Sequence, residues 1–384
     1  MSKKYIEDIS IEGRRKEIDI KLERVHALLD EQKLDALILM KASNFSWMTA
    51  GGKNWLTLGV PEGVSTLLIT KNSCHAIMNI LETQLMIEEQ KLEELGFEVI
   101  TMPWIENNTI SIIEGIIGGS ISRCASDLPI GDAKVLGAPI DEIKYSLTEN
   151  EICRYQYLGD NLSAALEEYI VTLKPGMTEY EITGGLCKAL WKYNIEQVLF
   201  LIACDERALK YRHGVPTDNV LKKHLNISVN GRYKGLITTV TRMIHFGKPD
   251  NELTDQYELC TEIECRTIAK AKVGADEIEA YDMNKQAYSD VGHPDMWALH
   301  AQGGPQGYMN RYYIITPSRH GIIPENAAYC FNPVIGVKEG TKTEDAFIAT
   351  KDGPLFITKP MSFPVIEKTV DGIAFKRPGL VFVD

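Results

Sequence analysis

The polar side chains that could do chemistry in this 384-residue chain gather in a few short stretches of its C-terminal half. His213, in Tyr211-Arg212-His213-Gly214-Val215-Pro216, offers an imidazole that can take and give a proton near neutral pH. The same histidine also reads as a loop residue with no role. His300 and Arg311 bracket the stretch His300-Ala301-Gln302-Gly303-Gly304-Pro305-Gln306-Gly307-Tyr308-Met309-Asn310-Arg311. Its glycines would let backbone lie close to a ligand, and a guanidinium at Arg311 suits a carboxylate or phosphate. A tight turn with a solvated arginine accounts for those residues as well. Glu344 stands in Lys342-Thr343-Glu344-Asp345, where neighbouring strand side chains point to opposite faces. His245 lies three residues past Arg242 and so belongs to the other face of its strand, in a structural role. Arg319-His320 reads as surface. Cys204 could be a thiol nucleophile near His213, but a core thiol at a strand end is the simpler reading.

Several reaction classes leave no trace. The sequence holds no GxGxxG, P-loop or GxSxG motif and no HExxH or zinc-finger spacing. Eight cysteines are scattered without a CxxC pair, which points to reduced buried thiols. The net charge of −12 argues against nucleic-acid or anionic-membrane binding, both of which need a basic face. No apolar run approaches the roughly 20 residues of a membrane span. The N-terminal stretch turns acidic at once, unlike a signal peptide, so a cytoplasmic location is expected.

The elements that must position these residues suggest two domains, 1–147 and 148–384. In the first, helical patterns (12–32, 81–95) alternate with short apolar runs (36–40, 65–70, 76–80, 97–102), which predicts a mainly parallel α/β sheet. Thr148-Glu149-Asn150-Glu151 is a capping box that opens a long helix to about Leu173. Beyond it, Lys174-Pro175-Gly176-Met177-Thr178-Glu179-Tyr180-Glu181 is echoed by Lys272-Val273-Gly274-Ala275-Asp276-Glu277-Ile278-Glu279. A helix end, a Gly turn and a capped helix start, used twice and each followed by strands, imply two similar halves about a pseudo-twofold axis. Apolar runs at 197–203, 225–229, 235–244, 328–335 and 345–350 supply the strands, and 303–307 reads as a turn.

The order of these segments resembles the pita-bread family of methionine and Xaa-Pro aminopeptidases, prolidase and creatinase. Asn44-Phe45-Ser46-Trp47-Met48-Thr49-Ala50-Gly51-Gly52 resembles the N-terminal domain of prolidase and creatinase. Lys174 to Glu179 looks like the family's helix turn, Gly231 to Arg242 like its aspartate-bearing strand pair, and Lys351 to Thr358 like its usual ending. The resemblance implies an α/β (α+β) architecture, with a creatinase-like N-terminal domain and a pita-bread C-terminal domain, and a homodimer.

The family's two metal ions need two Asp, one His and two Glu. By resemblance those positions carry Ser228, Thr239, Gly304, Asn332 and Glu344, so four of five ligands are missing and no metal or other cofactor is expected. His213 falls where creatinase, which hydrolyses without metal, places its acid/base histidine. The glutamate that creatinase carries near Thr241 is absent. Glu344 would supply a carboxylate, or pair with a buried Arg242 instead. The expectation is a metal-independent M24-type hydrolase cleaving a C–N bond in a small carboxylate-bearing substrate. His213 and Glu344 are its catalytic candidates; Arg242, Arg311, His300, Gln302, Asn332, Thr239 and Thr241 are its substrate-binding ones. A non-catalytic pseudopeptidase and an aminopeptidase with a displaced metal site stand as alternatives.

Overall fold

The computed structural model describes residues 5–248, 250–337 and 339–383. They form two compact units, one running to Lys144 and taking in Thr148–Cys153 and Lys234–Leu236, the other holding Tyr145–Leu147, Arg154–Tyr233 and the chain from Ile237 on. No helix among the described residues is long and apolar enough to cross a membrane.

The first unit comprises α1 (Ile11–Gln32), β1 (Ala36–Lys41), α2 (Ala42–Met48), β2 (Glu62–Thr70), β3 (Cys74–Asn79), α3 (Ile80–Glu88), β4 (Glu98–Met102), α4 (Thr109–Ile117), β5 (Cys124–Ser126), β6 (Lys134–Val135) and α5 (Ala138–Glu142). Its sheet runs β4-β3-β2-β1-β5-β6. The sheet is mixed, not mainly parallel as the alternation predicts. β1 pairs antiparallel with β2, and β2 with β3, the latter because the three-residue turn Lys71-Asn72-Ser73 can only return the chain as a hairpin. The β3–β4, β1–β5 and β5–β6 pairs, reached by longer connections, are parallel.

The second unit holds most of α6 (Glu149–Ile170), then α7 (Glu179–Trp191), β7 (Glu196–Cys204), α8 (Glu206–Lys210), β8 (His224–Tyr233), β9 (Leu236–Phe246), α9 (Asn251–Lys270) and α10 (Glu277–Asp290). There follow β10 (Gly303–Gln306), β11 (Ala327–Phe331), β12 (Val334–Ile335), β13 (Thr341–Lys342), β14 (Asp345–Thr350), β15 (Gly353–Phe356), β16 (Val365–Val370), β17 (Ile373–Pro378) and β18 (Val381–Val383). The central sheet runs β10-β11-β14-β9-β8-β7. The stretch 303–307, predicted as a turn, is mostly the edge strand β10, a position that tolerates Pro305.

The internal repeat is real at the level of single hydrogen bonds. Gly176 N donates to Leu221 O and Gly274 N to Ile323 O, each at 2.9 Å; Glu179 N reaches Asn219 O at 3.0 Å and Glu277 N reaches Gly321 O at 2.9 Å. Thr178 and Glu181 form the expected capping box. Asp276 caps Ile278 N (3.0 Å), but its side chain meets His320 Nδ1 at 2.7 Å and no reciprocal bond to Glu279 is seen.

One buried charge cluster ties the second unit together. Arg242 Nε donates to Glu167 Oε1 at 2.7 Å, and its Nη1 reaches Asp345 Oδ1 at 3.1 Å. Arg377 Nη2 bonds Asp345 Oδ2 at 2.6 Å and Glu264 Oε1 at 3.1 Å. In every ion pair of the cluster both side chains are 0% exposed. Three carboxylates face two guanidinium groups, so the cluster favours holding one proton. Burial, then Asp345, push Glu264 up to about 7 against the pull of Arg377.

Two outcomes follow for stability. Arg242→Met leaves Glu167 and Asp345 buried without their cation, so urea denaturation is expected to show a loss of about 3–5 kcal/mol. Glu264 binds a proton more readily folded than unfolded. Its contribution to stability is therefore full below the ordinary carboxyl range and is lost as pH rises through about 7. Urea midpoints measured from pH 5 to 8 should fall with pH in the wild type, and this part of the slope should vanish in Glu264→Gln.

Candidate functional site

A pocket of about 180 Å³ opens in the second unit, bounded by Leu199, Leu201, His213, Ser228, Asn230, Ala301, Asn310, Arg311, Ile314, Asn332, Lys342 and Glu344. Its polar centre is a closed ring of four side chains. Thr241 Oγ1 donates to Glu344 Oε2 at 2.7 Å and lies 2.7 Å from Ser228 Oγ. Lys342 Nζ donates to Ser228 Oγ at 2.9 Å and sits 2.9 Å from Glu344 Oε2. Strand alternation explains how the ring forms. Thr239 and Thr241 share one face of β9, Lys342 and Glu344 share one face of the segment leading into β14, and Thr241 N bonds Glu344 O at 2.9 Å.

The remaining pocket groups answer to this pair of charges. Burial alone would raise Glu344, but Lys342, then Arg311, and hydrogen bonds from Lys342 and Thr241 bring it down to about 2. Glu344 is therefore a permanent carboxylate and a weak proton acceptor. His213 is lowered from the ordinary histidine value by burial, then by Lys342, with Glu344 opposing. Its ring lies 5.3 Å from that of His300, centroid to centroid. Burial, then Lys342, push His300 down to about 3. Both nitrogens of His300 are shielded from solvent with no hydrogen-bond partner among the described residues, and the same holds for Thr239 Oγ1.

The structure sorts the sequence candidates. It brings His213, Glu344, Arg311, Asn332 and Thr241 to the pocket or its ring, with His300 beside His213. Arg242 is a correction. It is neither a ligand for substrate nor the partner of Glu344, because it follows Thr241 on β9 and so points away, to Glu167 and Asp345. Gln302 is a scaffold residue, its Nε2 bonded to the carbonyls of Trp297 (2.9 Å) and His300 (2.8 Å). Arg311 is partly committed, since Nη1 donates to Gly304 O and Cys330 O while Nη2 lies 3.8 Å from Glu344 Oε1. The amide of Asn332 faces the carbonyls of Gln302 and Ala301 at 3.1 and 3.2 Å. His245 lies against His224, and the eight cysteines stand outside any disulfide. Two ring residues were not among the sequence candidates: Ser228, read only as the occupant of an expected ligand position, and Lys342, read only as a neighbour of Glu344. The signal for Lys342 was its place two residues before Glu344.

The comparisons with known proteins bear on the fold that carries this pocket. Residues 155–305 match the model of Metallopeptidase family M24. The Xaa-Pro dipeptidase of Pyrococcus furiosus is 21% identical over 349 residues, 88% of this chain and 97% of that one. An Xaa-Pro dipeptidase structure from Bacillus anthracis superposes with a TM-score of 0.76 at 18% identity, covering 95% of this chain and all of that one. Residues 155–305 thus carry the match to family M24, and the chain as a whole shares the fold of these Xaa-Pro dipeptidases. The same fold extends to the N-terminal domain of the FACT complex subunit SPT16 from chickpea, with a TM-score of 0.72, 15% identity and 91% and 97% of the two chains covered.

The metal pair that the M24 resemblance implies does not fit this donor set. At Gly304, where the family carries its histidine, a Cβ would lie 2.3 Å from the carbonyl oxygen of Tyr313, so no side chain can stand there. The one remaining carboxylate, Glu344, already holds an ammonium at 2.9 Å. Among the described residues no three His, Cys, Asp or Glu side chains group as a metal site. Protein dialysed against Mn²⁺ or Co²⁺ should accordingly carry only substoichiometric metal by elemental analysis; stoichiometric uptake would show a donor set elsewhere.

Proposed function

We infer that this M24 chain is a metal-independent hydrolase of a C–N bond in a small, polar, carboxylate-bearing molecule. The observation that carries the reading is Lys342 Nζ, a protein cation seated between Ser228 and Glu344 where the family's ions would need carboxylates. The space available, about 180 Å³, is room for roughly six waters at about 30 Å³ each, which favours a small substrate.

In this reading His213 carries the proton. Its lowered affinity keeps it neutral at physiological pH and able to accept. Water adds to the carbon of the C–N bond as His213 takes its proton. The imidazolium then gives that proton to the leaving nitrogen, and the C–N bond breaks. Glu344, locked as a carboxylate, holds Lys342 and does not exchange protons. A homodimer belongs to the same reading, supported by family resemblance and by exposed apolar side chains of the first unit such as Leu56, Leu81, Trp104 and Ile105.

A second reading, a ligand-binding protein without turnover, draws on one feature: no hydrogen bond from the described residues orients the imidazole of His213. The two separate on a panel of amides, amidines and Xaa-Pro dipeptides assayed with a chelator present. His213→Ala should lower turnover by about 10²–10⁴-fold, and wild-type activity should survive chelation. Equal turnover by both proteins, or activity that returns only with added metal, overturns the hydrolase reading. Tight binding with no product supports the second.

A further inference from the structure

An ammonium has three N–H donors. In this site Lys342 uses one on Ser228 Oγ and one on Glu344 Oε2. It also lines the pocket, as do Ser228 and Glu344. The third donor is left for whatever enters. Arg311, the other cation at the wall, has Nη1 committed to the carbonyls of Gly304 and Cys330. Arg242 is out of reach on the opposite face of β9. Two cations, Lys342 and Arg311, face one carboxylate, Glu344, so the wall carries an excess positive charge in a half-enclosed space where charges interact strongly. Leu199, Leu201, Ala301 and Ile314 make part of that wall apolar.

We propose that Lys342 is the ligand anchor of this pocket, a tethered cation whose third N–H binds the carboxylate of a small aliphatic acid, with Glu344 and Ser228 setting its direction. This rests on the reading of the pocket as a substrate site and assigns the anion-binding group within it. The unpartnered nitrogens of His300 and the Thr239 hydroxyl are polar groups that a bound ligand or its water could satisfy. Because Glu344 opposes any incoming anion while Lys342 attracts it, the two residues should act in opposite directions on affinity, although they form one ion pair. A purely structural pair would move affinity only through loss of folding, and in one direction.

The test is equilibrium binding of propionate and of its neutral isostere propionamide to the full-length protein, followed by calorimetry or by ligand-observed NMR. Wild type should prefer propionate. Lys342→Met should weaken propionate by about tenfold or more, the loss of one hydrogen bond to a charged group, and leave propionamide little changed. Glu344→Gln, whose amide oxygen can still accept from Lys342, should tighten propionate. Lys342→Met leaves Glu344 buried with only Thr241 and the more distant Arg311 to hold its charge. The double variant Lys342→Met/Glu344→Gln removes both charges, and its thermal melt checks that the fold persists; it too should lose the preference for propionate. Retained propionate affinity in Lys342→Met or the double variant overturns the proposal. So does wild type that binds both compounds alike, or neither at millimolar concentration. His213→Ala should keep propionate binding, so a failure of the hydrolase reading leaves this result standing, and the converse also holds.

Discussion

The site depends on a charge cluster that takes no part in it. Arg242, Asp345, Arg377, Glu264 and Glu167 join α6, β9, α9, β14 and β17 through ion pairs with no exposed side chain. Breaking such a cluster is costly, since any survivor is a buried charge without a partner. It therefore fixes the register of β9 against β14, where Asp345 lies opposite Val240. Neighbouring strand residues face opposite ways. Once Arg242 and Asp345 are held on one side, Thr241 and Glu344 are delivered to the other, within 2.7 Å of each other. A slip of one residue would put Glu344 in the core and Asp345 in the pocket.

On the pocket side, a lysine differs from a divalent ion in ways that matter. It carries one charge, donates hydrogen bonds in place of accepting lone pairs, and cannot leave. Glu344 can neutralise it alone, so the ring of four side chains holds no unpaired charge. Ser228 and Thr241 are suited to this because a hydroxyl can accept from the ammonium and pass a hydrogen bond on to the carboxylate. The positions that no longer suit a metal suit an ammonium.

Much of this was legible in the sequence. The capping box at Thr178, the doubled Gly turn and the order of strands follow from local chemistry, which tertiary packing did not override. The direction of the first sheet was not legible, because alternation of helix and strand is silent about a hairpin closed by a three-residue turn. The strand at 303–306 was hidden by its composition, since Gly and Pro mark a turn except at a sheet edge. In the site, His213 and Glu344 stood out by type, whereas the partner of Glu344 was sought on the neighbouring strand, at Arg242. The i, i+2 rule applied to Lys342 and Glu344 names the right partner, and the same rule applied to Thr241 and Arg242 removes the wrong one.

The scaffold and the chemistry are separable in this chain for a physical reason. Glu179 accepts from Cys204 N and Thr217 N, each at 2.9 Å; its repeat counterpart Glu277 accepts from Tyr329 OH at 2.7 Å and Gly321 N at 2.8 Å. These buried carboxylates staple each helix start to the loop that returns beside it, and neither lines the pocket. The repeat staples and the five-charge cluster thus hold the fold away from the pocket. At the positions where the resemblance expects ligands, the residues present have partners of their own: Glu344 with Lys342, Ser228 with Thr241, Gly304 against the Tyr313 carbonyl. Likeness to the M24 family accordingly describes the scaffold. What the pocket does must be argued from the groups that line it, among them the ammonium of Lys342 and the imidazole of His213.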